Sequence, residues 1–249
     1  MRILYNSILD DTNSYTPVSE NANYPIENIY NEKLSREYRT TGITAENIVI
    51  DAGVGNTLDA DTFTISGHNF TSSATLKIQA NATDAWGAPT LDTSITYGAE
   101  TIATSFTGTD LRFWRFTMAD ATNTDGYLKM GRLMLGDYLQ ITKGASKRFM
   151  ETINDTTSGY TSGGGQYYAV QGYRYRTYDL NFPYWSNSMR ESIRTMLASV
   201  QNVSPVVLII DESNTDTLYP VYCIIEGDFN VTHLHDYKWS GNLEFREVK

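Results

Sequence analysis

The sequence predicts a mainly β protein with a single α-helix, arranged as two β domains, and three observations point there. Short runs of alternating apolar and polar residues recur along the chain, separated by clusters of Gly, Asn, Asp and Ser, as in strands joined by tight turns. The composition fits, with 18 Tyr, abundant Thr, Asn, Ser and Gly, and only 6 Pro in 249 residues. Helical spacing of apolar residues is convincing in one stretch alone, near residue 190.

The chain opens with a short strand in RILYNSIL and continues as polar coil. In YPIENIY, Pro25 can start a helical turn, and Glu27 lies early enough to meet the positive end of its dipole. Residues 47–78 hold three strand blocks, IVIDAG, ADTFTISGHNF and ATLKIQA, the last with Leu76 and Ile78 on one face. Residues 81–100 read as a long loop and 102–106 as a weak strand. The stretch around which the first half is organised, 112–136, reads as a β-hairpin. Residues 113–118 alternate aromatic or apolar residues with Arg and Thr, 119–126 form a turn cluster, and 127–135 return as a strand. A last strand over 137–142 ends this half.

The boundary falls near residues 142–150, giving domains 1–142 and 143–249. Residues 143–165 are rich in Ser, Thr and Gly and end SGYTSGGGQ. They read either as a flexible linker or as an ordered hairpin arm; Tyr160, Tyr167 and Tyr168 favour the arm, since linkers seldom carry so many aromatics. Next, Tyr173, Tyr175, Thr177 and Asp179 alternate with Arg174, Arg176, Tyr178 and Leu180, a strand with one aromatic and one mixed face. The helix covers NSMRESIRTMLASV, capped by Ser186 or Asn187, with Met189, Ile193, Met196, Leu197 and Val200 on one side. An apolar strand follows Pro205, then a turn over 213–216, then strands in LYPVYCIIEG and DYKWSGNLEFREV.

The first-half blocks resemble the galactose-binding-like β-sandwich of discoidin and coagulation-factor C-type domains. The resemblance is carried by Asp51 and Gly53, the Gly67-His68-Asn69 turn, Trp114-Arg115 and the GRLMLG strand, in the family's order. Residues 24–29 and 38–41 add to it, with Tyr38 standing where the family more often has Trp. It implies an antiparallel jelly roll over 1–142. The second half resembles small tail-tube, distal-tail and minor tail proteins of tailed bacteriophages, through residues 190–197, 205–212 and 237–248. That resemblance implies a β-sandwich with one helix assembling as a homo-oligomeric ring. It also implies other phage tail proteins as partners, and a place in the virion after synthesis in the host cytoplasm.

Charge and cysteine usage narrow the classes. The net charge is −10, with 9 basic against 17 acidic residues in 1–142. Phosphate binding needs a basic face, so nucleic acid is not an expected partner. No stretch approaches membrane-spanning length, and membrane insertion is not expected. The opening MRILYNSILDDTNSY lacks the apolar core of a signal peptide, in line with cytoplasmic synthesis. The lone Cys223, inside VYCIIEG, reads as a buried, inert thiol.

No phosphate loop, nucleophile elbow, His-Glu-x-x-His or paired-Cys motif is present. No catalytic residue, cofactor or metal is assigned, and the protein is not expected to be an enzyme. His233 and His235 would share a strand face beside Asp236, but without a third ligand they read as exposed turn residues. The pairs Asp10-Asp11, Asp59/Asp61 and Asp211-Glu212 have the chemistry of a glycosidase, and nothing singles one out.

Sugar binding needs an exposed aromatic platform beside hydrogen-bonding groups. Trp86, with Asn81 and Asp84, is the first candidate and Tyr97 the second; the favoured alternative has Trp86 plugging the end of the sandwich. His68 reads as a hydrogen-bonded packing residue of its turn. Arg112 and Arg115 belong to an outward, salt-bridged face. Tyr160, Tyr167, Tyr168, Tyr173 and Tyr175 are candidate subunit contacts. The leading functional reading is a structural component of a phage tail tip or baseplate, forming a ring through 143–249. The alternative is a carbohydrate-binding module for host surface glycans, and a glycan-active enzyme comes third.

Overall fold

The computed structural model describes residues 1–141, 149–210, 220–235 and 237–249, and it is mainly β with one α-helix. In chain order the strands are β1 (Arg2–Leu4), β2 (Ser14–Pro17), β3 (Tyr38–Arg39), β4 (Glu46–Asp51), β5 (Leu58–Ser66), β6 (Thr75–Asn81), β7 (Leu91–Ile95), β8 (Ile102–Leu111), β9 (Phe113–Ala119), β10 (Lys129–Met130), β11 (Arg132–Gly136) and β12 (Tyr138–Gln140). Then come β13 (Phe149–Asp155), β14 (Ser158–Thr161), β15 (Tyr167–Val170), β16 (Arg174–Trp185), helix α1 (Asn187–Val200), β17 (Val206–Ile209), β18 (Val221–Glu226), β19 (Val231–His235) and β20 (Lys238–Glu247). Two compact units form, Met1–Ile141 with Val206–Tyr222, and Thr142–Pro205 with Cys223–Lys249. The expected boundary falls largely on residues 142–148, which lie outside the described residues, as does the turn expected over 213–216.

In the first unit, two antiparallel sheets enclose the core, as expected of a β-sandwich: β2-β4-β9-β6-β7 and β11-β5-β8. Alternation decides which side chains go in. Along β9, Trp114, Phe116 and Met118 are buried while Phe113, Arg115 and Thr117 turn outward. Ile48 and Ile50 of β4 and Leu76, Ile78 and Ala80 of β6 extend that layer. Opposite them stand Phe63 and Ile65 of β5 and Leu133 and Leu135 of β11, with Phe63 and Phe116 ring centroids 5.2 Å apart. Each such side chain contributes about 1.5–3 kcal/mol by leaving water. Strand β1 pairs with β12 on one side and with β17 on the other.

Two expectations are corrected here. Residues 112–136 are not a hairpin: β9 pairs with β4 and β6, whereas β11 pairs with β5 in the opposite sheet. Both edges of β9 are already occupied, so the chain crosses the end of the sandwich instead of folding back. The crossing is pinned by the buried Asp120, which accepts from Thr71 N at 2.6 Å, Thr71 Oγ1 at 2.8 Å and Thr122 Oγ1 at 3.0 Å. Residues 81–100 are not all loop either. They contain β7, which pairs with β6 from Leu76↔Ile95 to Ala80↔Leu91.

In the second unit the sheet order is β18-β20-β16-β13, with β19 also on β20. Tyr178, Leu180, Phe182 and Trp185 of β16 are buried, as are Leu243 and Phe245 of β20. The packed face of β16 is thus the mixed one. Its Arg176 is accommodated by an ion pair to Glu247 at 2.7 Å. Helix α1 starts at the Ser186 cap, whose hydroxyl accepts from Met189 N at 3.2 Å, and it buries Ile193, Met196 and Val200. Leu197 is half-buried, and Cys223 is buried. Among the described residues, strands β14 and β15 pair only with each other.

Candidate carbohydrate-binding face

The β6–β7 hairpin carries Trp86 in its connecting loop, and one asparagine shapes that loop. Asn81 Oδ1 accepts from Ala82 N at 3.0 Å and Thr90 Oγ1 at 3.2 Å, while its Nδ2 donates to the Ala85 carbonyl at 2.6 Å. The indole Nε1–H donates to Asp84 Oδ1 at 2.7 Å, which sets the ring's orientation. Beneath the ring, 4.5 Å from its centroid, lies the Arg115 guanidinium. Arg115 points outward from β9 because its neighbours Trp114 and Phe116 point inward. Its Nε and Nη2 donate to Gln79 Oε1 at 2.9 and 2.6 Å, so the cation is held in place.

Gln79 lies opposite Asp92 in the register, and Asp92 pairs with Lys77 at 3.2 Å. The outer face of β9-β6-β7 therefore presents a half-exposed indole stacked on a fixed cation, with two carboxylates and an ammonium around it. Partial burial pushes Arg115 down from its ordinary value, against the pull of Asp84 and Asp92. A guanidinium is charged at any physiological pH, so this cation is permanent. The arrangement suits a ligand with one flat C–H face and several hydroxyls.

Three of the four predicted sugar-site residues come together: Trp86, Asn81 and Asp84. Their roles differ, since the Asn81 side chain is used within the loop and Asp84 orients the indole. Tyr97 stands apart, beyond the far end of the hairpin, where Ile95 pairs with Leu76. It packs against the core and meets His68 edge-on at 6.2 Å. Trp86 does not plug the sandwich. The inward positions at that end are taken by Ala80 and Trp114, and Phe106 packs on Trp114 at 5.6 Å.

Gln79, Lys77, Asp92 and Arg115 complete the face. Their outward parity was readable along each strand, but the register that gathers them was not. Arg112 pairs with Asp51 through contacts of 2.6 and 2.8 Å, an outward salt bridge as expected.

Of the remaining candidates, Asp10 and Asp11 are exposed, and Asp10 Oδ1 accepts from Thr12 N at 2.9 Å and Thr12 Oγ1 at 2.6 Å as a turn former. His233 and His235 are exposed on β19, with the His233 ring 4.7 Å from Trp239. Asp236 and the Asp211-Glu212 pair lie outside the described residues. Among the described residues, no three His, Cys, Asp or Glu side chains are grouped to hold a metal ion. Tyr160, Tyr167 and Tyr168 stand exposed on β14 and β15. Tyr173 and Tyr175 lie next to them in sequence, rings 5.7 Å apart, with Arg246 stacked on Tyr175 at 4.3 Å.

No family model and no curated protein matches the chain. Among solved structures, the chain is similar to the family 32 carbohydrate-binding module of C. perfringens NanJ in complex with galactose. The identity is 12%, the TM-score 0.42, and the match covers 55% of this chain and 99% of that one. A second is CpGH89CBM32-5 from Clostridium perfringens, in complex with GalNAc-β-1,3-galactose, at 10% identity and TM-score 0.43, covering 53% and 99%. A third is the family 32 module of AlyQ in complex with 4,5-unsaturated mannuronic acid, at 16% identity and TM-score 0.39, covering 53% and 96%.

Proposed function

We propose that the first unit is a carbohydrate-binding module that recognises a pyranose of a surface glycan on the outer face of β9-β6-β7. The observation that carries this reading is Trp86: half-exposed, fixed by Asp84, and laid on a guanidinium that Gln79 immobilises. A preorganised aromatic surface loses little entropy when a sugar's C–H face settles on it, and flanking polar groups then select among hydroxyl arrangements. Binding rather than catalysis is the chemistry proposed.

The test is a glycan array followed by fluorescence titration of the full chain. Binding with a change in Trp emission is expected, and Trp86→Ala should abolish it. Because an exposed cation–π contact contributes only about 0.5–1 kcal/mol, the Tm of that variant should fall by no more than a few degrees. Failure of the wild type to bind any glycan, or equal binding by Trp86→Ala, overturns the reading.

A second reading, a structural subunit of a phage tail tip or baseplate, is favoured by one feature, the exposed β14–β15 ribbon of the second unit. Recovery of the protein in assembled tails would support it. Its absence there, with glycan binding intact, leaves the module reading alone.

A further inference from the structure

Phe113 repeats, at the start of β9, the construction found at Trp86. Its outward side chain shares a face with that of Arg115, two residues on, while Trp114 turns inward between them. Same-face neighbours along a strand stand about 7 Å apart. The Phe113 ring is half-exposed, and the Arg112 guanidinium lies 4.5 Å from its centroid. Asp51 holds that cation, accepting from Arg112 Nε at 2.6 Å and Nη2 at 2.8 Å, and it also accepts from Gly53 N at 2.8 Å. Each of these two rings therefore meets a guanidinium that a neighbour keeps in place, Gln79 at Trp86 and Asp51 at Phe113.

The entry into β9 is braced as well. Trp114 Nε1 donates to the Leu111 carbonyl at 3.1 Å, and Ala52 N donates to the Arg112 carbonyl at 3.1 Å. Asn81 ties the two rings to one place. It is the register partner of Phe113, and its side chain shapes the loop that carries Trp86, through the Ala85 carbonyl at 2.6 Å and Thr90 Oγ1 at 3.2 Å. Beyond Phe113 the same row crosses to Asp51 on β4 and to Ser14 on β2. A line of aromatic rings and hydroxyl-binding groups thus runs across the strands at this end of the sheet. It is longer than one sugar.

We propose that this face takes an extended saccharide, with one unit on Trp86 and a neighbouring unit on Phe113, so that the ligand crosses the strands toward β4. The inference rests on the carbohydrate reading of the same face and names its ligand more closely. A single sugar on Trp86 would leave the Phe113 ring in water. A second unit, tethered to the first, covers that ring without a second loss of translational and rotational freedom, so most of its contact appears as affinity. Arg112 is already paired with Asp51, so the second position asks for no charge from the ligand. The unit it takes is a neutral one.

Calorimetric titration of the full chain with neutral oligosaccharide series of glucose, galactose, mannose and N-acetylglucosamine, from a single sugar upward, tests it. In the series that binds, affinity should rise at least about tenfold from one unit to two. Phe113→Ala should bring the two-unit ligand down to the affinity of the single sugar. Phe113→Leu, which keeps an apolar residue in the strand, should do the same, whereas Phe113→Tyr, which keeps the ring, should retain the gain. Equal wild-type affinity for one unit and two overturns the inference and leaves the carbohydrate reading standing, and so does a Phe113→Ala or Phe113→Leu protein that keeps the gain. A wild type that binds no member of any series overturns the inference too, while the carbohydrate reading stands or falls on the full array.

Discussion

His68 and Asp120, in neighbouring turns, both lose stability as the pH falls, His68 in the higher window and Asp120 in the lower. The His68 ring stacks on Phe70 at 5.1 Å and its Nδ1 accepts from Phe70 N at 3.2 Å, in the packing role read for the Gly-His-Asn turn. Burial drives its pKa from 6.5 down to about 4. The unfolded chain therefore binds the proton first. Stability is complete above the ordinary value, falls as the pH drops from 6.5 toward 4, and levels off below that. The loss expected is up to ~3 kcal/mol, and thermal melts across this window should show a slope that His68→Phe removes. Burial pushes Asp120 up, but the bonds from Thr71 and Thr122 outweigh it and hold the carboxyl below its usual range. Its contribution is present above the ordinary carboxylate value and disappears as the pH falls through the depressed one. Asp120→Ala should cost about 2 kcal/mol at neutral pH, read as a lower denaturant midpoint. That role was not legible in the sequence: Asp120 reads as one more turn residue, because its partner Thr71 lies 49 residues away.

Helix α1 shows how much one periodicity can specify. Its limits, its Ser186 cap and the burial of Ile193, Met196 and Val200 follow from local spacing, because a helix makes its hydrogen bonds within itself. Ile193→Asp should put an unpaired carboxylate in a dry contact and cost at least ~3 kcal/mol. A variant that melts normally would mean that this face is not packed. Ser186→Ala should cost about 1 kcal/mol. Strands behave differently. Period-2 alternation told which side chains of β9 point inward, yet it carried no information on the neighbouring strand. So β9 and β11 read as a hairpin when they belong to opposite sheets. Strand β7 went unread because the alternation of Leu91, Thr93 and Ile95 is too short to stand out from a turn-rich stretch.

At the scale of the molecule, the sequence showed the β class and the uneven charge, while gathering of the candidate face depended on pairing it could not show. Strand β17 joins the first unit by a pairing with β1 that spans most of the chain, which no local pattern encodes. Likewise Trp86, Gln79, Asp92 and Arg115 meet only because β6 pairs with both β7 and β9. The central claim is that this face binds sugar, and it is most directly tested by amide NMR shifts of the full chain titrated with a glycan found on the array. The account expects perturbations at Gln79, Trp86, Asp92 and Arg115, with His68 and Tyr97 at the other end of the hairpin unmoved. Saturable shifts confined to the Tyr97 end, or to the second unit, would contradict it.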